Sequence, residues 1–416
     1  MGIHVISMCA ILAIIPLFWL PDLPDLHLVW LLIAAGIALS VQQRKWLRFS
    51  GLALLFMCWG ILAAQESVWP MNYLTQAPQQ AEVVITATDG ATMHQGRIVS
   101  LNGERVWAAM GVALYGNYLP QNVCVGQRWA MTLRLRAVHG ELNDGGYDSQ
   151  KNAFARHQTL SGRFTHAALV DEGCSLRAQY LTSLQNTLSA YQWGPVILGL
   201  GMGERLSVSR EIKNLMRDTG TMHLMAISGL HIALAASVIW FLARGIQFFL
   251  PGRWIIWQIP LLAGLIFAAF YAWLTGLQPP ALRTVIALVV LAVLKMSGRQ
   301  WSPWQVWLTC VAAILVFDPL AVLSQSLALS AFAVAALIFL YQWLPLPLWQ
   351  RGRCLRPLVT LLYLQVGMLL LLLPLQVLIF HGFSLSSLAA NLFAVPLVTF
   401  ISVPLILLGM FLHLFP

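Results

Sequence analysis

The stretch Asp218-Thr-Gly-Thr-Met-His-Leu-Met-Ala-Ile-Ser-Gly-Leu-His231 runs directly into the apolar segment Ile232 to Leu242. Polar groups that enter hydrocarbon without partners cost several kcal/mol, so two histidines, a serine and glycine at the mouth of an apolar helix must face protein or water. In a helix, Ser228 and His231 stand three residues apart on one face, and Gly229 leaves room for a second backbone. His223 lies five residues before Ser228 and points elsewhere. A Ser/His pair raises nucleophilic catalysis, but the base needs a third group to orient it, and no intramembrane carboxylate lies nearby. Hydrogen bonding between packed helices is the plain alternative for any one of these residues. As a cluster they point to a pathway.

Outward from this stretch the composition is that of a membrane protein: 59% hydrophobic, 9% charged, mean hydropathy +0.75 and 17 Trp in 416 residues. A soluble chain of this length has too little interior to hide so much apolar surface. Three apolar segments open the chain, at about 3–20, 26–41 and 49–64, and seven more fall near 223–243, 255–274, 281–297, 303–317, 325–344, 357–380 and 385–413. The first lacks a basic leader and a small-residue cleavage site, so it reads as a retained helix. The expected architecture is a polytopic α-helical membrane protein of about ten spans with an external small β-barrel domain. Its divisions are 1–64, an N-terminal three-helix membrane region; 65–174, the barrel; 175–222, amphipathic linker helices; and 223–416, the channel domain.

Charge tests this topology, because cytoplasmic loops are enriched in Lys and Arg. The loops expected inside carry Arg44, Lys45, Arg48, Arg244, Arg253, Lys295, Arg299, Arg351, Arg353 and Arg356 and no acid. Those expected outside carry Asp22, Asp25 and Asp318, while region 65–222 is nearly neutral. The net charge of +9 therefore reports membrane orientation rather than nucleic-acid binding. Both termini come out cytoplasmic, and 65–222 lies on the external side of the membrane.

From Ala81 to Val170 short alternating segments replace the apolar runs. Glu82 to Thr88 alternates, Gly96 to Ser100 and Arg105 to Ala108 flank Asn102-Gly103, Gly126 to Val138 is the clearest strand, and Leu160 to Val170 is another. In the strand 126–138, Trp129, Met131, Leu133 and Leu135 share one face and Arg128, Thr132, Arg134 and Arg136 the other. Small barrels bind single-stranded nucleic acid through a basic groove with aromatic platforms. Arg128, Arg134 and Arg136 are candidates for that groove, with Trp107, Tyr115 or Phe164 beside it; a solvated strand face is the alternative. Asp144 and Asp148, beside Gly-Gly, read as turn formers, and no metal or cofactor is assigned.

Cys124 and Cys174 are the only cysteines in the external region, where oxidation is permitted, and are expected to pair; Cys9, Cys58, Cys310 and Cys354 fall in spans or a cytoplasmic loop. Beyond the barrel, Leu176, Tyr180, Leu181, Leu184 and Leu188 form a helical stripe ended by Gly194-Pro195. A second amphipathic helix follows Ser207 or Ser209 as N-cap, with Glu211 in its first turn, and ends at Gly220. The glycines of Gly199-Leu-Gly-Met-Gly203 lack the strand and the Lys-Ser/Thr of a phosphate loop and read as a bend or close packing.

In the channel domain Thr275-Gly-Leu-Gln-Pro-Pro280 is expected to break a helix at the external boundary and expose carbonyls to an aqueous or packed space. Arg283 then needs a cavity or partner, or snorkels to external headgroups. Asp318 caps the next helix or pairs with Arg283, and Ser324, Gln325, Ser326 and Ser330 add polar groups. The pore candidates are thus His223, Ser228, Gly229, His231, Gln278, Pro279, Pro280, Arg283, Asp318, Ser324 and Gln325.

Three signatures carry a resemblance: His223-Leu-Met-Ala-Ile-Ser-Gly-Leu-His231, Gln278-Pro-Pro-Ala-Leu-Arg283, and Asp318-Pro-Leu-Ala-Val-Leu-Ser-Gln-Ser-Leu-Ala-Leu-Ser330. In this order and membrane context the chain closely resembles the ComEC family of bacterial DNA-uptake channel proteins. The resemblance implies inner-membrane passage of single-stranded DNA during natural transformation, an OB-like fold for the barrel, an external DNA receptor and a cytoplasmic helicase-like ATPase. It supports the Cys124–Cys174 pairing. Full-length members continue into more membrane helices and a metallo-beta-lactamase-like domain proposed to degrade the other strand. That domain's His/Asp cluster does not occur here, so a non-enzymatic, truncated chain ending at Leu412-His-Leu-Phe-Pro416 is expected. No P-loop appears, so energy must come from a partner or a gradient. A secondary transporter for a small polar solute and an intramembrane hydrolase using Ser228 and His231 are the competing readings.

Overall fold

The computed structural model describes residues 2–19, 22–88, 93–116, 119, 123–140, 148–205, 207–225, 227–252, 255–344, 356–382, 384 and 386–413. Asp144 and Cys354 fall outside these residues. The chain divides into two compact units, one of 1–182 with 311–327 and one of 183–310 with 328–416.

In the first unit, α1 (Ile3–Ile14), α2 (Leu26–Ser40) and α3 (Lys45–Val68) carry the first three apolar segments. Val29, Cys58 and Ile61 form a small core between α2 and α3, on which Leu32, Ile33 and Leu54 pack. Outside that seam the helices remain apolar, as a lipid-facing surface requires. Five strands follow: β1 (Gln79–Thr88), β2 (Met93–Leu101), β3 (Glu104–Tyr115), β4 (Arg128–Ala137) and β5 (Leu160–Asp171). They close in the order β1-β2-β3-β5-β4, with β3 and β5 parallel and every other pair antiparallel. Closure removes the free edges that a small sheet otherwise exposes. Val83, Ile85, Ile98, Val112, Leu114, Leu133 and Leu160 are fully buried inside, with Trp129, Met131 and Leu135 beside them. The alternation read for 126–138 therefore holds: its apolar face fills the barrel and its arginines stand outside. Asn102 and Gly103, both with positive φ, make the two-residue turn between β2 and β3.

Phe164 is 7% exposed and packs in the barrel core, which corrects its reading as a stacking platform. Period-two alternation assigns its face only once the first residue of β5 is known. Asp148 is the N-cap of α4 (Ser149–Ala155), accepting from the Lys151 backbone N–H at 2.8 Å. Cys124 and Cys174 face each other with Cα atoms 5.8 Å apart, within disulfide reach. Beside them the Ser175 N–H donates to the Val125 carbonyl at 2.9 Å, so the chain leaves the barrel at a fixed point. Then α5 (Leu176–Leu188) begins, burying Ala178, Leu181 and Leu184; Leu176, expected on that stripe, is exposed.

The second unit contains α6 (Gly194–Met202), α7 (Arg210–Asp218), α8 (Met222–Met225), α9 (Gly229–Phe248), α10 (Gln258–Leu274), α11 (Pro279–Met296), most of α12 (Pro303–Phe317) and α13 (Gln325–Trp343), and α14 (Arg356–Phe380), α15 (Ser386–Leu397) and α16 (Val403–Leu412). Ser209 caps α7, its hydroxyl accepting from the Ile212 N–H at 3.3 Å, and Glu211 and Arg217 complement the helix dipole at either end. Gly194-Pro195 starts α6 rather than only ending what precedes it, since proline is pre-set for a first helical turn. The glycine run is the second half of α6 and its left-handed cap, and Leu198, Leu200 and Met202 are buried there.

Each apolar segment of the sequence is largely helical; that near 223–243 is divided between α8 and α9, and that near 385–413 between α15 and α16. Among the described residues six are long and apolar enough to cross a membrane: Lys45–Tyr73, Gly229–Phe248, Pro279–Met296, Gln325–Trp343, Val359–Phe380 and Ser386–Leu412. Ile3–Phe18, Leu26–Ser40, Gln258–Leu274 and Pro303–Phe317 are shorter apolar helices.

Candidate channel mouth and nucleic-acid interface

The first pore signature folds as a break between two helices. Ser228 is extended (φ −84°, ψ 159°) and is the N-cap of α9, its hydroxyl accepting from the His231 backbone N–H at 3.4 Å. This corrects the expectation that Ser228 and His231 share a helical face. The bond that joins them is a cap, and it uses the histidine's backbone rather than its imidazole. The His231 side chain is buried, 1% exposed, and its Nδ1 has no hydrogen-bond partner among the described residues. His223 is on α8, its Nδ1 3.1 Å from the Gly220 carbonyl. Gly229 meets α11: a Cβ added there would lie 2.6 Å from the Thr284 hydroxyl, so only glycine allows this approach.

The second signature is ordered rather than broken. Gly276 has φ +82° after the C-terminal turn of α10, and the Leu277 N–H donates to Ala272 while the Gly276 N–H donates to Trp273, both at 2.9 Å. These are the reciprocal bonds of a glycine-ended helix. Pro279 and Pro280 then begin α11, where their missing N–H groups cost nothing, so no row of free carbonyls is left by a broken helix. Gln278 holds the end of α6: its Nε2 donates to the Gly203 carbonyl and its Oε1 accepts from Arg205 Nη2, each at 2.8 Å. The Tyr271 hydroxyl donates to the Gly201 carbonyl at 3.1 Å. Gly203 has φ +74°, and a Cβ there would also crowd the Gln278 amide at 2.9 Å. Arg283, one turn into α11, is 8% exposed. Ile227, Ile232, Ala235, Tyr271, Ala272 and Ala281 make the apolar core around α9, α10 and α11.

Residues 318–327 of the third signature belong to the first unit. Asp318 forms no side-chain cap on the 3-10 turn Pro319–Leu323. Its carboxylate instead lies 3.2 Å from His157 Nε2, just beyond α4, while His157 Nδ1 lies 3.4 Å from the Ser67 hydroxyl. Asp318 thus ties a turn between apolar helices to the barrel's attached helix, a role that neither of the two expected for it included. The hydrogen bond to Asp318 holds the His157 pKa above its ordinary value, helped by the Asp318 and Glu66 charges against burial and Arg97. Ser324 ends the 3-10 turn, its hydroxyl 2.9 Å from that of Ser326, and Gln325 begins α13.

On the barrel, Arg128, Arg134 and Arg136 are all exposed on β4. Arg128 stands opposite Asp171, Arg134 opposite Arg163, and Arg136 opposite Ser161. Trp107 is 89% exposed, where residues 106–109 of β3 bulge opposite Val99 alone on β2. It is not beside the β4 arginines, because β3 and β4 are separated by β5 in the closed order. Tyr115, further along β3 and 45% exposed, is level with Arg163. No single-strand pattern reveals Arg163 as a neighbour of Arg134, since cross-strand register is a tertiary property.

A closed barrel in one unit and apolar helices long enough to cross a bilayer in both define a membrane protein with a β domain. The chain belongs to the ComEC family of competence proteins: the family model described as competence protein matches residues 200–416, slightly more than half of it. It is 59% identical over 414 residues to the uncharacterized protein YcaI of Escherichia coli K12, covering 100% of this chain and 55% of that protein. It is 33% identical over 382 residues to recombination protein 2 of Haemophilus influenzae, covering 90% of this chain and 47% of the other. With competence protein ComA of Neisseria gonorrhoeae it shares 32% identity over 292 residues, 67% of this chain and 41% of that one. The chain therefore spans about half the length of these relatives. No solved structure matches it significantly.

Proposed function

We propose that this chain forms the inner-membrane passage for single-stranded DNA in natural transformation, with its barrel as an OB-like nucleic-acid-binding domain on the external side. The observation that carries the reading is the pair His231 and Arg283, both buried at the starts of α9 and α11 in an otherwise apolar core. Ionisable side chains in such a place line a polar path or hold one open. Membership of the competence family supports DNA as the cargo. The OB-like assignment is supported by five strands closed through one parallel β3–β5 pair. An external receptor would deliver DNA to the barrel, and a cytoplasmic helicase-like ATPase would draw the strand inward. No catalytic role, cofactor or metal is proposed. The hydrolase alternative loses support because the Ser228 hydroxyl caps a helix. The transporter alternative loses the broken helix on which it rested, since Pro279-Pro280 start α11.

The test uses the full chain in nanodiscs with Cys9, Cys58, Cys310 and Cys354 replaced. A cysteine at Ser228 is expected to react with a water-soluble maleimide and to be protected by a single-stranded oligonucleotide, whereas one at Val289 does not react. Equal protection of both positions without DNA would mean that the cluster is dry packing and would sink the channel reading.

A further inference from the structure

We propose that the outer face of β3, β5 and β4 is a track for consecutive phosphates of single-stranded DNA, running from Tyr115 through Arg163 to Arg134 and along β4 to Arg136. It rests on the nucleic-acid reading of the barrel and moves the contact surface away from Arg128 and Trp107. The register sets Tyr115 against Arg163 and Arg163 against Arg134, and all four side chains lie on the outer face. Neighbouring strands are about 4.8 Å apart, and alternate residues on one strand are about 6.8 Å apart. Three guanidinium-bearing positions therefore fall within about 10 Å of one another.

Like charges directly opposite one another on a sheet destabilise it. Among the described residues, none of the three arginines forms an ion pair that would relieve this. The acids on β5 and just beyond it, Asp171 and Glu172, lie at the opposite end of that strand, where Asp171 faces Arg128. Glu82 of β1 is level with Ala130, also towards that end. Asp148, the described acid beyond the Arg136 end of β4, is engaged as the cap of α4 by the Lys151 N–H. A polyanion with charges at regular intervals offsets the repulsion, each guanidinium offering paired donors to a phosphate. Tyr115 supplies a flat face next to the row on which a base can stack. A row that combines regular charge with an adjacent aromatic favours a nucleic-acid strand over lipid headgroups.

The experiment measures binding of fluorescent oligothymidylate to the full chain in neutral phosphatidylcholine nanodiscs across a salt series. Arg163→Ala is expected to weaken binding severalfold and to reduce the slope of log affinity against log salt by about 0.7, the value for one phosphate on a single strand. Arg163→Lys should keep that slope, which separates charge from folding. Tyr115→Leu should weaken binding by about fivefold or more with the slope unchanged. If Arg163→Ala matches the unmodified chain while Arg134→Ala lowers the slope, the track does not reach β5 and the proposal is wrong. An effect seen only in discs containing phosphatidylglycerol would assign the row to headgroups and overturn it equally. Absence of any binding by the unmodified chain would instead overturn the nucleic-acid reading of the barrel itself.

Discussion

Gln278 uses both ends of its amide, one on the Gly203 carbonyl and one on Arg205, and so fixes the end of a nine-residue buried helix against the start of α11. Leucine has nearly the same volume and neither bond. Each neutral hydrogen bond contributes about 0.5–1.5 kcal/mol net, and one to a charged group about 1.5–3 kcal/mol. Gln278→Leu is therefore expected to loosen residues 199–205, seen as faster amide exchange there with exchange in the barrel unchanged. Unchanged exchange at Gly203 would show that Tyr271 and apolar packing hold α6 alone. The sequence marked Gln278 as special but assigned it to the pore, because nothing in the chain's order indicates that a glycine carbonyl 75 residues away will meet its amide.

At the scale of elements, β4 was fully legible. Its alternation is strict, and the inward set Trp129, Met131, Leu133 and Leu135 is the set that fills the barrel. The second half of β3 was less legible, since Gly111 and Ala113 give the period little amplitude. Where the last strand leads into α5, Cys124 and Cys174 close a loop with a sequence separation of 50. In the chain-entropy account such a closure stabilises the fold by about 4 kcal/mol. Mass spectrometry of the chain from an oxidising compartment, digested without reduction, is expected to recover one peptide pair joined through these cysteines. Two free thiols there would refute the pairing and the anchoring of α5 to the barrel that depends on it.

Across the molecule, the contact of His157 with Asp318 holds the turn between α12 and α13 against the segment that follows α4 in the first unit. It also makes the junction pH-sensitive. The Asp318 bond raises the His157 pKa from 6.5, so folding favours the protonated ring. Its contribution is fully present below pH 6.5 and is lost as pH rises through the higher folded value. Thermal stability of the full chain in detergent should therefore fall across that window, and His157→Gln and Asp318→Asn should each flatten the fall. A slope unaffected by either substitution would show that other groups carry it.

The sequence by itself determined that this is a membrane protein, where its apolar helices fall, that a β domain interrupts them, and which β4 residues face inward. These follow from composition and from periods of 2 and 3.6, which are local. Only the tertiary structure decided that Ser228 caps α9, that Pro279-Pro280 start a helix, that Asp318 answers to His157, and that Arg163 stands beside Arg134. Each depends on register or on contacts between distant segments, and a side chain's role is set by the partner that closure of the fold brings to it.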